Sequence, residues 1–89
     1  MHFLIVDDHP VVRQTLKTIL LGAFSGCTVE EAGSAREAME LLPRGRWSVV
    51  LLDLGLPDRS GLDLLRDLKS LAPDVPALVF SGQCEEEFG

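Results

Sequence analysis

At 89 residues the chain has room for one domain at most, and its core can bury only roughly 60–65% of the surface that the unfolded chain exposes. Hydrophobic residues make up 46% of it, too many for a disordered segment, while its unbroken apolar runs are far too short to cross a bilayer and no secretory leader is visible after Met1. Fourteen acidic residues against eight scattered basic ones give a net charge of −6, which argues against direct nucleic-acid binding and leaves the cytoplasm as the expected compartment, with no membrane association.

Residues 3–6, FLIV, are a short apolar run that predicts a first strand. Asp7 and Asp8 follow it, then His9 and Pro10; proline suits the first turn of a helix, and Asp8 or His9 can cap it. Val12, Leu16, Ile19 and Leu20 then recur at helical spacing and predict one apolar face, with Gly22 as the C-terminal stop. Residues 27–32 read as a second short strand, broken by Gly33. Ser34 and Glu37 have the spacing of a capping box, and Ala35, Ala38, Met39 and Leu42 continue as a helix that Pro43 and Gly45 end. Residues 49–52, VVLL, are apolar without alternation, as in a strand buried on both faces of a parallel sheet, and Asp53 closes them. A loop over residues 54–60 leads to a helix over Gly61–Leu71, whose Leu65, Leu68 and Leu71 share a face. After a proline-flanked turn, Ala77–Phe80 is a fourth strand, with Ser81 and Gly82 just past it and a short acidic tail beyond.

Strands alternating with helices imply parallel strands joined by right-handed crossovers, hence an open α/β sheet. In such sheets ligands bind beyond the carboxyl ends of the strands. That rule singles out Asp7 and Asp8 after strand one, Asp53 after strand three and Ser81 after strand four. One aspartate at a strand end is commonly just a turn or helix cap. Three of them ending two apolar strands are better read as a set. Crowded carboxylates repel one another, and a hard divalent cation relieves them; magnesium favours oxygen ligands of this kind. Other features carry less. Cys27 and Cys84 lack metal-ligand spacing and read as free thiols. His9 has no partners for a catalytic triad and reads as a residue flanking the acidic site. Pro57 and Gly61 shape the loop and helix start, and Trp47 and Phe80 are core or strand-flanking aromatics.

LIVDDHP at residues 4–10, VVLLDLGLP at residues 49–57, Gly61 opening the next helix and ALVFSG at residues 77–82 together resemble the successive motifs of response-regulator receivers of two-component systems, over the whole chain. The Asp-Asp-His-Pro form most resembles receivers of the NarL/FixJ kind. The resemblance implies an α/β, CheY-like (flavodoxin-like) parallel sheet, truncated to four strands in the order 2-1-3-4 with three helices. It implies a single receiver domain over residues 1–89 that lacks the last helix, strand and helix and has no output domain. It also implies roles. Asp53 would accept a phosphoryl group from a histidine kinase or phosphotransfer protein. Asp8 and Asp53 would ligate magnesium, Asp7 would do so largely through water, and the backbone carbonyl of Gly55 would be a further ligand. Ser81 would hydrogen-bond a phosphoryl oxygen and move inward on activation. Such a module is not an enzyme beyond its own phosphorylation and autodephosphorylation.

The family's lysine and switch aromatic on a fifth strand have no counterpart here, since Lys17 and Lys69 lie on predicted helices. Phosphorylation is therefore expected to be slow and poorly transmitted. Strand four would be an open apolar edge and helix one would lose a neighbour, so a homo-oligomer through strand four or the face of helix one is expected. The competing reading is a dimerisation or interaction fragment that uses the scaffold without phosphorylation. A hydrolase on a similar fold is disfavoured because Gly55 stands two residues past Asp53, where such enzymes carry an acid. Adduct formation with acetyl phosphate and magnesium separates the first two.

Overall fold

The computed structural model of the chain describes residues 1–80. Four strands, β1 (His2–Val6), β2 (Thr28–Ala32), β3 (Val49–Asp53) and β4 (Ala77–Phe80), alternate with three helices, α1 (Pro10–Ala23), α2 (Ala35–Leu41) and α3 (Gly61–Leu71). The strands form one sheet in the order β2-β1-β3-β4, and every neighbouring pair is parallel. Strand direction and helix number are those expected from the alternation of elements, and the sheet order is the one that the resemblance implies.

The central strands are β1 and β3, the two most uniformly buried ones, and they have core on both sides. Phe3, Ile5 and Leu51 face α1, packing with Leu16 and Leu20. Leu4, Val6, Val50 and Leu52 face the other way, against Ala35, Ala38, Leu42, Leu64 and Leu68. Three layers result, with α1 alone on one face and α2 and α3 on the other.

The two faces are unequal. The α2/α3 side holds most of the fully buried side chains, while α1 has none. The expected apolar face of α1 is met only in part: Leu16 and Leu20 reach the sheet, whereas Val12 and Ile19 are exposed, Ile19 by 58%. The apolar stripe on α1 is wider than the strip of sheet beneath it.

Other differences from the sequence expectations lie at element ends. Gly22 does not stop α1, which continues through Ala23 until the Phe24 N–H closes on the Leu20 carbonyl. The chain turns instead at Gly26, whose φ of 76° an L side chain disfavours. Phe24 then packs its ring against Phe3. Pro43 ends α2 as expected, but by way of a 3-10 turn at Leu42–Arg44. The Leu42 carbonyl in that turn accepts a 3.0 Å hydrogen bond from the buried Trp47 indole, which satisfies the indole's donor inside the core.

Register sets the positions that matter for function. Val6 lies level with Leu52, so the next residue along each strand places Asp7 beside Asp53 at the carboxyl rim. Asp53 is itself paired with Phe80.

The inequality of the faces has a measurable consequence. Leu52→Ala removes a fully buried side chain and lowers the unfolding free energy by about 2–5 kcal/mol, while Ile19→Ala changes it by no more than about 0.5 kcal/mol. Urea titration of the two variants checks the contrast.

Candidate functional site

Two buried strands deliver acids to one rim. Asp7 is 1% exposed and Asp53 is 3% exposed, and both continue the apolar runs of β1 and β3. Oxygens of Asp7, Asp8 and Asp53 and a ring nitrogen of His9 all lie within 4.8 Å of one another. Three of these groups are the expected metal ligands, so the structure brings together Asp7, Asp8 and Asp53 as the sequence suggested.

Each acid has a different environment. Asp7 is the most firmly held: its N–H extends the ladder to the Ala32 carbonyl at 3.0 Å, and its Oδ1 accepts 2.8 Å bonds from the backbone N–H and the Nδ1 of His9. Asp8 Oδ1 is inaccessible to solvent and has no hydrogen-bond partner among the described residues, although His9 Nδ1 stands 3.1 Å away at ion-pair distance. Asp53 Oδ1 accepts from the Gly55 N–H at 3.2 Å. Burial pushes the Asp53 carboxyl above its ordinary range; the Gly55 bond opposes that shift, and the charges of Asp7 and Asp8 add to it. The hydrogen bond to Asp7 raises the His9 imidazole above its usual value, with the charges of Asp8 and Asp7 acting in the same direction.

These features fit a hard divalent cation. A buried carboxylate oxygen without a donor among the described residues and a buried carboxyl with a raised affinity for protons are both relieved by positive charge, and the donor set is all oxygen apart from His9. His9 flanks the acids as expected, but more intimately than a helix-start residue needs to: its side chain makes no cap to α1 and turns back onto Asp7.

The loop after β3 is held at both ends. Gly61 opens α3 against the strand end, where a Cβ would stand 2.5 Å from the Asp53 carbonyl oxygen and from the Leu54 Cα. Only glycine lets the helix start this close. Its N–H also bonds the Leu54 carbonyl at 3.0 Å. Further along the loop, Asp58 accepts from the Ala35 and Arg36 N–H groups at 2.9 and 3.0 Å, tying the loop to the start of α2. Ser34 takes the Glu37 N–H as the expected capping box requires, but the Glu37 carboxylate accepts from the Gly33 N–H, one residue before the cap, so the box forms only in part.

Two contributors went unnoticed in the sequence. Asp58 is one, and its only local signal was that a capping box leaves the first two N–H groups of a helix open. Arg13 is the other: it donates to the Asp7 carbonyl from the first turns of α1. Ser81 and Cys84 lie outside the described residues, and Cys27 carries a free thiol as expected.

A family model described as the response regulator receiver domain matches residues 3–88. The chain belongs to this family. It is 42% identical over 83 residues to the DNA-binding transcriptional activator DevR/DosR of Mycobacterium tuberculosis, and 38% identical over 85 residues to the transcriptional activator protein ExaE of Pseudomonas putida. Those matches cover 93% and 96% of this chain but only 38% and 40% of the two relatives, so the chain spans about two fifths of their length.

Solved receivers superpose closely. The response regulator TrrA of Thermotoga maritima, in complex with Mg(2+)-BeF, aligns with a TM-score of 0.82 at 28% identity, over 90% of this chain and 68% of its own. A response regulator from Burkholderia pseudomallei, with a phosphorylated aspartic acid, calcium ion and citrate, aligns with a TM-score of 0.83 at 34% identity, over 91% of this chain and 46% of its own. The chain is thus a receiver domain of the kind found in two-component response regulators, a family whose members generally act as phosphoacceptors. No helix among the described residues is long and apolar enough to cross a membrane.

The Asp58 cap predicts a pH signature. The two backbone N–H bonds hold its carboxyl below the usual range, Ala35 contributing most. A depressed carboxyl stabilises the fold above its unfolded value of about 3.9, and that contribution is lost as pH falls through the folded value. Asp58→Ala therefore melts at a lower temperature than the parent at neutral pH, and the gap closes as the pH drops below about 4. Paired thermal melts across that range check it; an unchanging gap would remove the carboxylate charge from the cap.

Proposed function

We propose that this receiver takes a phosphoryl group on Asp53, from the phosphohistidine of a histidine kinase or phosphotransfer protein, with magnesium held at the Asp7, Asp8 and Asp53 rim. The observation that carries this reading is the convergence of the three carboxylates within 4.8 Å, one of them with a buried oxygen that no donor among the described residues satisfies. The Mg(2+)-BeF complex of the Thermotoga relative and the phosphorylated aspartic acid of the Burkholderia relative support it by similarity.

In this reading Asp8 and Asp53 hold the cation directly, with the Gly55 carbonyl as a further ligand, while Asp7 acts largely through water. Magnesium supplies charge neutralisation for the phosphoryl oxygens. The Gly55 N–H steadies one Asp53 oxygen, and no donor among the described residues takes the other, Oδ2, which is left to attack. An Asp53 oxygen bonds to phosphorus as the phosphorus–nitrogen bond of the donor breaks, the imidazole leaves, and an acyl phosphate results. Positioning and charge provide most of the catalysis in such a transfer. Ser81 follows Phe80, the register partner of Asp53, and is proposed to donate to a phosphoryl oxygen. Hydrolysis of the acyl phosphate by the same site would reset the module.

With magnesium and acetyl phosphate, mass spectrometry is expected to find one phosphoryl adduct on Asp53. Asp53→Asn abolishes it, and Asp8→Asn slows it by about a hundredfold or more. A chain that binds magnesium without ever forming an adduct would instead favour an interaction module that does not use phosphorylation.

We also propose self-association through β4 or the outer face of α1. Leu78 on β4 is 60% exposed, Val79, Val12 and Ile19 are also exposed, and the outer edge of β4 pairs with no strand among the described residues. Such an edge is a template for another strand, and two-fold pairing is the commonest closed arrangement. Light scattering at micromolar concentration is expected to report a dimer or larger species that Leu78→Lys weakens. A cooperatively folded monomer would refute it.

A further inference from the structure

We propose that Arg13 is a positioning residue for the cation site: it fixes the Asp7–Asp8 peptide, is itself aimed by Glu31, and is given room by Gly33. The inference rests on the magnesium reading above and extends it to a residue outside the acidic cluster.

The geometry closes a ring around the turn between β1 and α1. The Arg13 backbone N–H donates to the His9 carbonyl at 3.0 Å, in the first hydrogen-bonded turn of the helix. Its guanidinium then reaches back, and Nη1 donates to the Asp7 carbonyl. The Asp7 N–H on the other side is already bonded to Ala32. Both peptide groups of Asp7 are therefore fixed. The second of them carries the Asp8 nitrogen, so its orientation sets the direction in which the Asp8 carboxylate leaves the backbone. Asp8 is also the acid whose own oxygen finds no hydrogen bond among the described residues, and so depends most on its backbone for aim.

Two further residues serve this placement. Glu31, near the end of β2, accepts from Arg13 Nε at 3.1 Å, and its second oxygen lies 3.7 Å from Lys17 Nζ. Gly33 follows the strand, and a Cβ there would stand 3.2 Å from Arg13 Nη1 and 3.1 Å from Glu37 Oε1. Gly33 does not have a positive φ, so a Cβ there would act through contact rather than backbone strain, pressing the ends of the Arg13 and Glu37 side chains aside by a few tenths of an ångström. Among the described residues, Arg13 pairs with Glu31 and makes no ion pair with Asp7, Asp8 or Asp53. It acts on the site through a peptide group, not through its charge. Two donors in a fixed fork are needed for this, one toward the carbonyl and one toward Glu31, and a lysine ammonium does not reproduce that geometry.

Magnesium titration of the 89-residue chain tests the proposal, read by calorimetry and by the amide NMR shifts of Asp8 and Asp53, with thermal melts in chelator alongside. Removing a group that orients a metal ligand commonly weakens the metal by about 10–100-fold. Arg13→Met is expected to weaken magnesium by about tenfold or more, Arg13→Lys not to restore it, and Glu31→Gln and Gly33→Ala to shift it the same way by less. The Arg13→Met, Glu31→Gln double variant should bind no more weakly than Arg13→Met alone, because Glu31 acts only through Arg13. An arginine that merely braced the fold would lower the melting temperature and leave the dissociation constant of the folded chain unchanged; that result, or full rescue by lysine, overturns the proposal. Should Arg13→Met fail to fold, Glu31→Gln and Gly33→Ala decide, and parental affinity in both overturns it. A parent chain that binds no magnesium would bring down the functional reading, and this inference with it.

Discussion

Like charge gathered at the end of two buried strands is the constraint around which the rest of this molecule is arranged. Two carboxylates about 5 Å apart repel by about 3 kcal/mol at the effective dielectric typical of protein sites, and burial adds to the cost of ionising Asp53. Nothing about folding alone asks for this. A β1 ending in apolar residues, or a β3 without Asp53, would pack as well and would not concentrate charge. The sheet order makes the convergence unavoidable once the acids are present: β1 and β3 are neighbours, they are parallel, and Val6 is level with Leu52. An adverse charge cluster built so directly into the register is what the proposed cation would relieve.

The backbone around the acids is correspondingly fixed by groups that do not belong to the cluster. On the β3 side, Gly61 allows α3 to begin in contact with the strand end, and Asp58 ties the same loop to the start of α2. On the β1 side, the Ala32 carbonyl and the Arg13 guanidinium grip the two peptide groups of Asp7. Aspartate side chains have short reach, so the precision of a carboxylate site is largely the precision of its backbone.

How much of this could be read in advance follows the range of the interactions. Asp7, Asp8 and Asp53 were legible because each ends an apolar run, and the rim rule for parallel sheets then brings them together with no knowledge of side-chain detail. Strand order and helix layers were legible for a similar reason, from alternation and from the resemblance of the motifs. The end of α1 was not: the helix runs one residue past Gly22 to a cap at Phe24, and the positive φ that turns the chain toward β2 falls at Gly26. The exposure of Val12 and Ile19 was hidden because periodicity reports which residues share a stripe, not how much of the stripe a neighbour covers. Asp58 and Arg13 were hidden more deeply. Their partners are backbone groups, which every residue carries, so sequence pattern holds no record of the pairing.

Unequal packing and the two-sided support of the site combine into an asymmetry of support. β3, α3 and α2 share the larger core, with Leu52, Leu64 and Leu68 fully buried, and the loop bearing Gly55 is stapled to that body by Gly61 and Asp58. Helix α1 buries no side chain completely and holds the sheet mainly through Leu16 and Leu20. Segments with few buried apolar contacts open at lower free energy than the core they rest on. The Asp53 half of the site thus sits on the more deeply packed body, and the Asp7–Asp8 half sits at the start of the helix with the thinner apolar packing. Apolar packing alone would leave that turn the looser of the two. The polar link from α1 through Arg13 to β1 and β2 acts where that packing is thinnest, since it joins all three elements within one side chain's reach of the acids. A cation shared between Asp8 and Asp53 would bridge the same divide from the other side, joining the two halves of the rim.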